Sequence, residues 1–412
     1  MSWGGGIDFL RTIADALLQS AREHGRIAEL FVLAPAQSFY ARIRSRIAPV
    51  YHWLKEDCGP HGGRQLREAL EQGATTLSQR WQLNHLLEAL PPGLRVLRYR
   101  TDQEIHEATK KHRLLCVMPC IRPLSPSVRV PWIGYIYDFQ HRHLPDMFSA
   151  EEKSCRDKAF GVLVSSARCV IFNSKDARQD CLDAFPDRRA ELISLPFGAS
   201  PRPDWLDGRP ELLDGYRLPS QYFLVSNQFW KHKNHHAVFD AIRILRDRFG
   251  LPDVRLVCTG GPWESRDREY YPSLLRFLDE NQLNEHVRLL GFIPKRVQIE
   301  VMKHALAVIQ PSLFEGGPGG GAVYDAISLG VPVILSDIPV NRELTADLGS
   351  LDFFDPLDSY SLARCMKDHL STPRERRRSR EELIQAGAAR VQALGNELWR
   401  IIDLIINERH PT

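Results

Sequence analysis

The sequence contains no run of about 18 apolar residues, the length a membrane-spanning helix requires. Its first residues, MSWGGGIDFLRTI, lack the basic stretch and apolar core of a secretory signal, so the expected location is the cytoplasm. No Cys-x-x-Cys pair occurs among the eight cysteines, which argues for scattered reduced thiols and against a zinc knot or a disulfide framework. No Asp-x-Asp pair offers a divalent metal a site beside a phosphate. The net charge of +3 is too small for a dedicated nucleic-acid binder. That small charge is uneven: residues 1–200 hold 27 Lys and Arg against 22 Asp and Glu. The N-terminal half therefore suits an acidic partner.

What is present is a long alternation of strand and helix patterns. The 412 residues suggest two domains, and 43% hydrophobic content is enough for full cores. Residues 7–22 place Ile7, Leu10, Ile13, Leu17 and Leu18 at helical spacing. The short apolar runs ELFVLAP, LRVLRYR, RLLCVMP, VPWIGYIYDF, CVIFNS and ELISLPF read as buried parallel strands between helices. Residues 196–220, rich in Pro, Gly and Asp, interrupt the rhythm and read as a linker able to serve as a hinge. The rhythm restarts with YFLVSN, VRLVCTGG, VRLLGF, LAVIQPS and VPVILSD as strands, and ends on helical stretches. The pattern predicts two doubly wound α/β units in tandem. No strand can be written before Gly4-Gly5-Gly6, although such a unit normally opens with one.

Three segments carry chemistry. The first, QPSLFEGGPGGGAVYDAISLGVPVILSD, sets a glycine-rich turn between a strand and a helix. Such a turn lets backbone amides approach phosphates, and the helix N-terminus favours an anion. Glu315 before the turn and Asp325 within the helix suit sugar hydroxyls, so the ligand should carry both phosphate and sugar. The second, SNQFWKHKNHH, follows the first strand of the second unit, where Lys233 can neutralise a diphosphate without a metal. Its histidines, His232, His235 and His236, read as helix-capping or surface residues. The third, WIGYIYDFQHRHLPDMFS, ends a strand with Asp138 and His141 among aromatics, as a sugar-binding lip would.

Together these segments resemble the retaining family-four (group 1) glycosyltransferases of the GT-B fold, most closely over residues 222–343. The resemblance implies two Rossmann-like domains facing a cleft: 1–200 for the acceptor and 201–385 for the nucleotide sugar. Residues 386–412 would then form a helix packing back on the first domain. It implies that Glu315 contacts donor-sugar hydroxyls and that Asp325 holds the ribose. The amides of Gly316, Gly317, Gly319, Gly320 and Gly321 would hold sugar and diphosphate. Nine residues separate the two acids where seven are usual, which implies two extra residues in the turn. The Lys-Asn pair of the family falls on Lys233-Asn234. An arginine expected a few residues earlier is absent, with Asn227 and Gln228 in that region, and Lys231 stands in for it. By the same resemblance Gly5 and Gly6 face the donor phosphates, although three terminal glycines alone would read equally as disorder. The backbone near Ile293 in GFIP meets the nucleotide base. Asp138 and His141 fall on the acceptor side.

The implied activity is metal-independent hexosyl transfer, with a mannosyl donor by similarity to bacterial polysaccharide enzymes, to a glycan or lipid-linked acceptor. No cofactor, metal or nucleic acid is implied. Residues 41–55, an Arg-rich amphipathic stretch, read as a solvated helix or as a peripheral contact with the inner face of a membrane. The alternatives are a nucleotide-sugar epimerase on the same fold and a non-catalytic sugar-binding protein.

Overall fold

A computed structural model describes residues 4–35, 94–262, 266–371 and 378–407. The Arg-rich stretch at 41–55 lies outside them. The chain divides into two compact units: Met1–Val117, Leu124–Trp132 and Leu398–Thr412 form one, Met118–Pro123 and Ile133–Glu397 the other.

In the first unit, helix α1 (Gly4–Glu23) begins at the glycines themselves, three residues before its apolar stripe. Gly5 and Gly6 are thus helical residues. Strands β1 (Phe31–Pro35) and β2 (Arg95–Tyr99) pair in parallel, Phe31 opposite Arg95. Thr101 caps α2 (Asp102–Lys111) by accepting the Glu104 amide, which satisfies one of the free N–H groups at a helix start. The end of the last helix, α11 (Arg380–Asn407), lies against α1. There the Trp399 indole donates to Leu17 O at 3.1 Å, and Arg26 forks onto Asp403 at 2.9 and 2.8 Å.

The second unit is built on two parallel sheets. The smaller has the order β3 (Val117–Cys120), β4 (Trp132–Tyr135), β5 (Cys169–Phe172), β6 (Glu191–Ser194). Around it lie α3 (Gln140–His143), α4 (Ala150–Ser166) and α5 (Lys175–Ala184). Helix α4 starts with a reciprocal capping box between Ser149 and Glu152.

The larger sheet has the order β12-β11-β10-β7-β8-β9. Its strands are β7 (Phe223–Ser226), β8 (Leu256–Thr259), β9 (Val287–Leu289), β10 (Val308–Gln310), β11 (Val333–Ser336) and β12 (Leu351–Phe354). Helices α6 (His235–Asp247), α7 (Tyr270–Glu280), α8 (Lys295–His304), α9 (Gly320–Ser328) and α10 (Ser359–Ser371) cover it. Phe223 and Val225 enter one core cluster, Tyr222 and Leu224 the other, as the two-residue period of a doubly covered strand requires. Edge strand β12 is absent from the sequence reading, because four residues, LDFF, show too little periodicity to separate them from a turn.

One feature differs from expectation. Residues 196–220 are not a bare connector: they form 3-10 turns at Pro203–Trp205 and Pro210–Leu213. Trp205 is buried in the core with Tyr222 and Leu224, and Leu206, Leu212, Leu213, Tyr216 and Leu218 pack on the same cluster. The Arg390 guanidinium further ties Ala199 O at 2.6 Å.

Candidate active site

From β7 the chain runs outward through β8 and β9, then returns to the other side of β7 for β10, β11 and β12. The strand order reverses between β7 and β10, and ligands of open α/β sheets bind beyond the C-terminal ends of strands at such a point. The turn bearing Lys233 follows β7, and the glycine-rich loop follows β10.

These two loops meet in a buried ion pair. Lys233 Nζ lies 2.5 Å from Glu315 Oε1, with the side chains only 12% and 10% exposed. The Gln310 amide donates to the same carboxylate oxygen at 2.7 Å and accepts from Asn227 Nδ2 at 2.7 Å. A buried charge pair of this kind is tolerated because each charge is matched and hydrogen-bonded. The other oxygen, Oε2, faces the loop: a Cβ at Gly320 would lie 3.0 Å from it. Lys233 ends a 3-10 turn, Lys231–Lys233, and Asn234 follows in the left-handed region at φ 51°, which asparagine tolerates.

The glycines meet demands of two kinds. Gly316 packs on the end of β4, where an added Cβ would meet Tyr137 O at 2.2 Å. Ser174 Oγ donates to Gly316 O at 3.0 Å and also caps α5. Gly317 stacks on Asn173. Gly319 and Gly320 adopt φ of 69° and 65°, a pair of left-handed residues that turns the chain into α9. The Gly319 amide donates to Asn341 Oδ1 at 2.8 Å. Gly321 has open space around its Cα.

Asp325 is buried in α9 and pairs with Lys295 Nζ at 2.5 Å. Lys295 in turn sits 5.4 Å over the Trp205 ring. Sequence reasoning missed Lys295, although it directly follows GFIP. The Ile293 side chain is buried in the core, so only backbone at that position can meet a ligand. Lys231 is exposed and paired with Asp267 at 3.1 Å.

On the smaller sheet, Asp138 Oδ1 accepts from the Gln140 amide at 3.0 Å and from Arg156 at 3.2 Å. Burial raises its pKa above the usual carboxylate value, opposed by those two donors. The histidines differ from the sequence expectation. His141 does not stand on a lip: it is 1% exposed, bonded to Asp157 at 3.0 Å, and enclosed by Phe139, Phe148 and Phe160. An aromatic box draws the ring inward. The exposed histidine of this segment is His143, whose ring lies 5.0 Å from that of Phe314, next to Glu315. Its bond to Asp180 raises its pKa. His232 and His235 are likewise buried, not surface caps; only His236 is exposed. Gly5 and Gly6 lie in the other compact unit. Among the described residues no group of three or more His, Cys, Asp or Glu side chains is arranged to hold a metal ion.

Residues 216–390 match the sequence family described as glycosyl transferases group 1. No curated protein matches the chain by sequence. Among solved structures, a glycosyltransferase from Rickettsia africae aligns at a TM-score of 0.59 and 14% identity, covering 92% of this chain and 99% of that one. Sucrose-phosphate synthase from Thermosynechococcus elongatus aligns at 0.54 and 19% identity, covering 74% and 75%. HepE of Anabaena, solved in complex with UDP, aligns at 0.53 and 15% identity, covering 81% and 88%. At these identities the likeness is one of fold: a mixed α/β protein of the GT-B type with two Rossmann-like domains.

Proposed function

We propose that this chain transfers a hexose from a nucleotide-diphosphate sugar to a hydroxyl of a glycan or lipid-linked acceptor, with retention and without a metal. The observation that carries the reading is the buried Lys233–Glu315 pair on the glycine loop at the strand-order reversal. Lys233 and the α9 N-terminus favour the negative charge that builds on a departing diphosphate. Glu315 Oε2 is available to sugar hydroxyls, and the Asp325–Lys295 pair to a ribose diol. In the transfer step the C1–O bond to the diphosphate breaks and a C1–O bond to the acceptor forms on the same face. The acceptor proton passes to the leaving diphosphate, so no covalent nucleophile is required. Asp138 and Tyr137, which back the glycine loop, border the acceptor side.

The test is a thermal-shift screen of UDP-glucose, GDP-mannose and related donors, with and without EDTA. A donor at about 100-fold over its Kd stabilises the fold by about 2.7 kcal/mol, a rise in Tm that is readily measured. The expected result is a rise with one donor class, unchanged by EDTA, and hexose transfer to a glycan hydroxyl. A flat response across the panel sinks the reading. Isomerised sugar from donor alone replaces it with epimerase chemistry, and loss of transfer in EDTA that manganese restores removes the metal-independent part.

A further inference from the structure

Resting on that reading, we propose that Lys295, the first residue of α8, is a positioning residue that makes the donor site select ribose, by fixing the Asp325 carboxylate. The pair joins two elements on the ligand side of the larger sheet. Helix α8 follows β9, and α9 follows β10 and the glycine loop, so both start beyond the C-terminal ends of strands. The Lys295 ammonium lies 2.5 Å from Asp325 Oδ2, and Asp325 is the buried member, its side chain 9% exposed against 35% for Lys295. A carboxylate taken out of water keeps its charge only beside a partner. Only the charged form offers both oxygens purely as acceptors to a pair of hydroxyls. With Oδ2 held by the ammonium, the plane of the carboxylate is set, and with it the direction from which a ribose diol is met.

Residues 196–220 build the support under this pair. Trp205 is buried, and its ring centre lies 5.4 Å from Lys295 Nζ. An aromatic face attracts an ammonium and restricts where it sits. Trp205 shares a core cluster with Ile293 and Val297, on either side of Lys295 in the chain, and with Val323 and Ala326 beside Asp325. The Phe197 ring packs on Tyr324, which directly precedes Asp325, with centroids 4.2 Å apart. The support is itself fastened. Lys303, further along α8, donates to Asp207 O at 2.6 Å. Arg380 spans Asp207 Oδ1 at 2.7 Å and Pro203 O at 3.2 Å, on either side of Trp205 in the chain. The ammonium is thus held by a carboxylate and an indole, neither of which belongs to its own helix.

Calorimetric titration of the full chain with UDP and GDP, and with the 2′,3′-dideoxy form of each, tests this in wild type, Lys295→Met, Lys295→Gln, Asp325→Asn and the double variant Lys295→Met/Asp325→Asn. The wild type should bind the preferred ribonucleotide about tenfold or more tighter than its dideoxy form, the worth of a buried acceptor left unmatched. Lys295→Met should lose most of that preference by weakening the ribonucleotide while the dideoxy form stays within about twofold of wild type. Lys295→Gln, whose amide still donates, should fall between them and carries the same comparison if the methionine variant does not fold. Because Lys295 acts through Asp325, the double variant should bind no more weakly than Asp325→Asn alone. An equal loss of both nucleotide forms would mark Lys295 as a direct ligand contact and overturn the proposal. An unchanged preference in Lys295→Met and Lys295→Gln would leave the pair purely structural and overturn it too. If Asp325→Asn keeps the wild-type preference, the ribose assignment fails before this inference does, and if the wild type binds neither nucleotide the donor reading itself falls.

Discussion

His232 and His235 flank Lys233 from inside the fold, and burial keeps both neutral. Burial, followed by the Lys233 charge, lowers His232 from 6.5 to about 2 and His235 from 6.5 to about 3. The His235 ring stacks on Phe229 with centroids 4.2 Å apart, and neither ring nitrogen has a partner among the described residues. The sequence hides this, because a run of Lys, His and Asn looks solvated. The 3-10 turn and left-handed Asn234 swing His232 and His235, three residues apart, inward. The consequence is a pH dependence with a definite sign. Between pH 6.5 and about 3 the unfolded chain binds protons at His235 that the folded chain refuses. Stability is therefore lost as pH falls through that window, by up to about 1.4 kcal/mol per pH unit for one group. His235→Phe keeps the stacking and removes the titration. Its Tm should fall less steeply than that of wild type between pH 6.5 and 4, read by circular-dichroism melting. Parallel Tm–pH curves would show that His235 is not held neutral.

At the scale of elements, the loop into α9 was the most legible part of the site. Five glycines between an acid and a helical acid have few other uses; Glu315 lies in the loop and Asp325 on the helix α9 that follows it. Their partners were less legible, because Lys295 lies on a different helix from Asp325 and only the sheet order brings them together. The glycines themselves separate by role. Alanine at Gly316 would drive Cβ to 2.2 Å from Tyr137 O, so strand end and loop must part. Overpacking of this kind costs about 1–3 kcal/mol, and Gly316→Ala should lower Tm together with donor binding. Gly321 has nothing within 4 Å and sits in a helix, where alanine is favoured over glycine by up to about 1 kcal/mol. Gly321→Ala should hold or raise Tm. If it also weakens donor binding, the open space above Gly321 belongs to the ligand. A lower Tm for Gly321→Ala, or an unchanged one for Gly316→Ala, would contradict the packing described.

Across the whole molecule, the alternation of strands and helices was readable because buried parallel strands are short apolar runs and their helices carry a 3.6-residue stripe. The state of residues 196–220 was not. Pro, Gly and Asp signal a break in regular structure, but they do not say whether the break is loose. Here the apolar residues between them, Trp205 and Leu212 among others, pack on the core of the larger sheet at irregular spacing that shows no periodicity. Trp205 also supports Lys295, so this segment reaches the Asp325 end of the candidate site. A hinge should exchange its amide hydrogens freely, whereas a packed strap should not. The amides of Trp205, Leu212 and Tyr216 donate to Arg202 O, Arg209 O and Leu213 O at 3.0, 3.0 and 3.1 Å. Hydrogen–deuterium exchange followed by mass spectrometry should therefore show peptides over 203–216 protected well beyond the rates of an unstructured chain. Trp205→Ala, which empties a buried aromatic site at a cost of about 3–5 kcal/mol, should release that protection and lower Tm. Exchange at unstructured rates in the wild type would restore the hinge reading, because a segment that opens freely can absorb the backbone rotations of a domain motion.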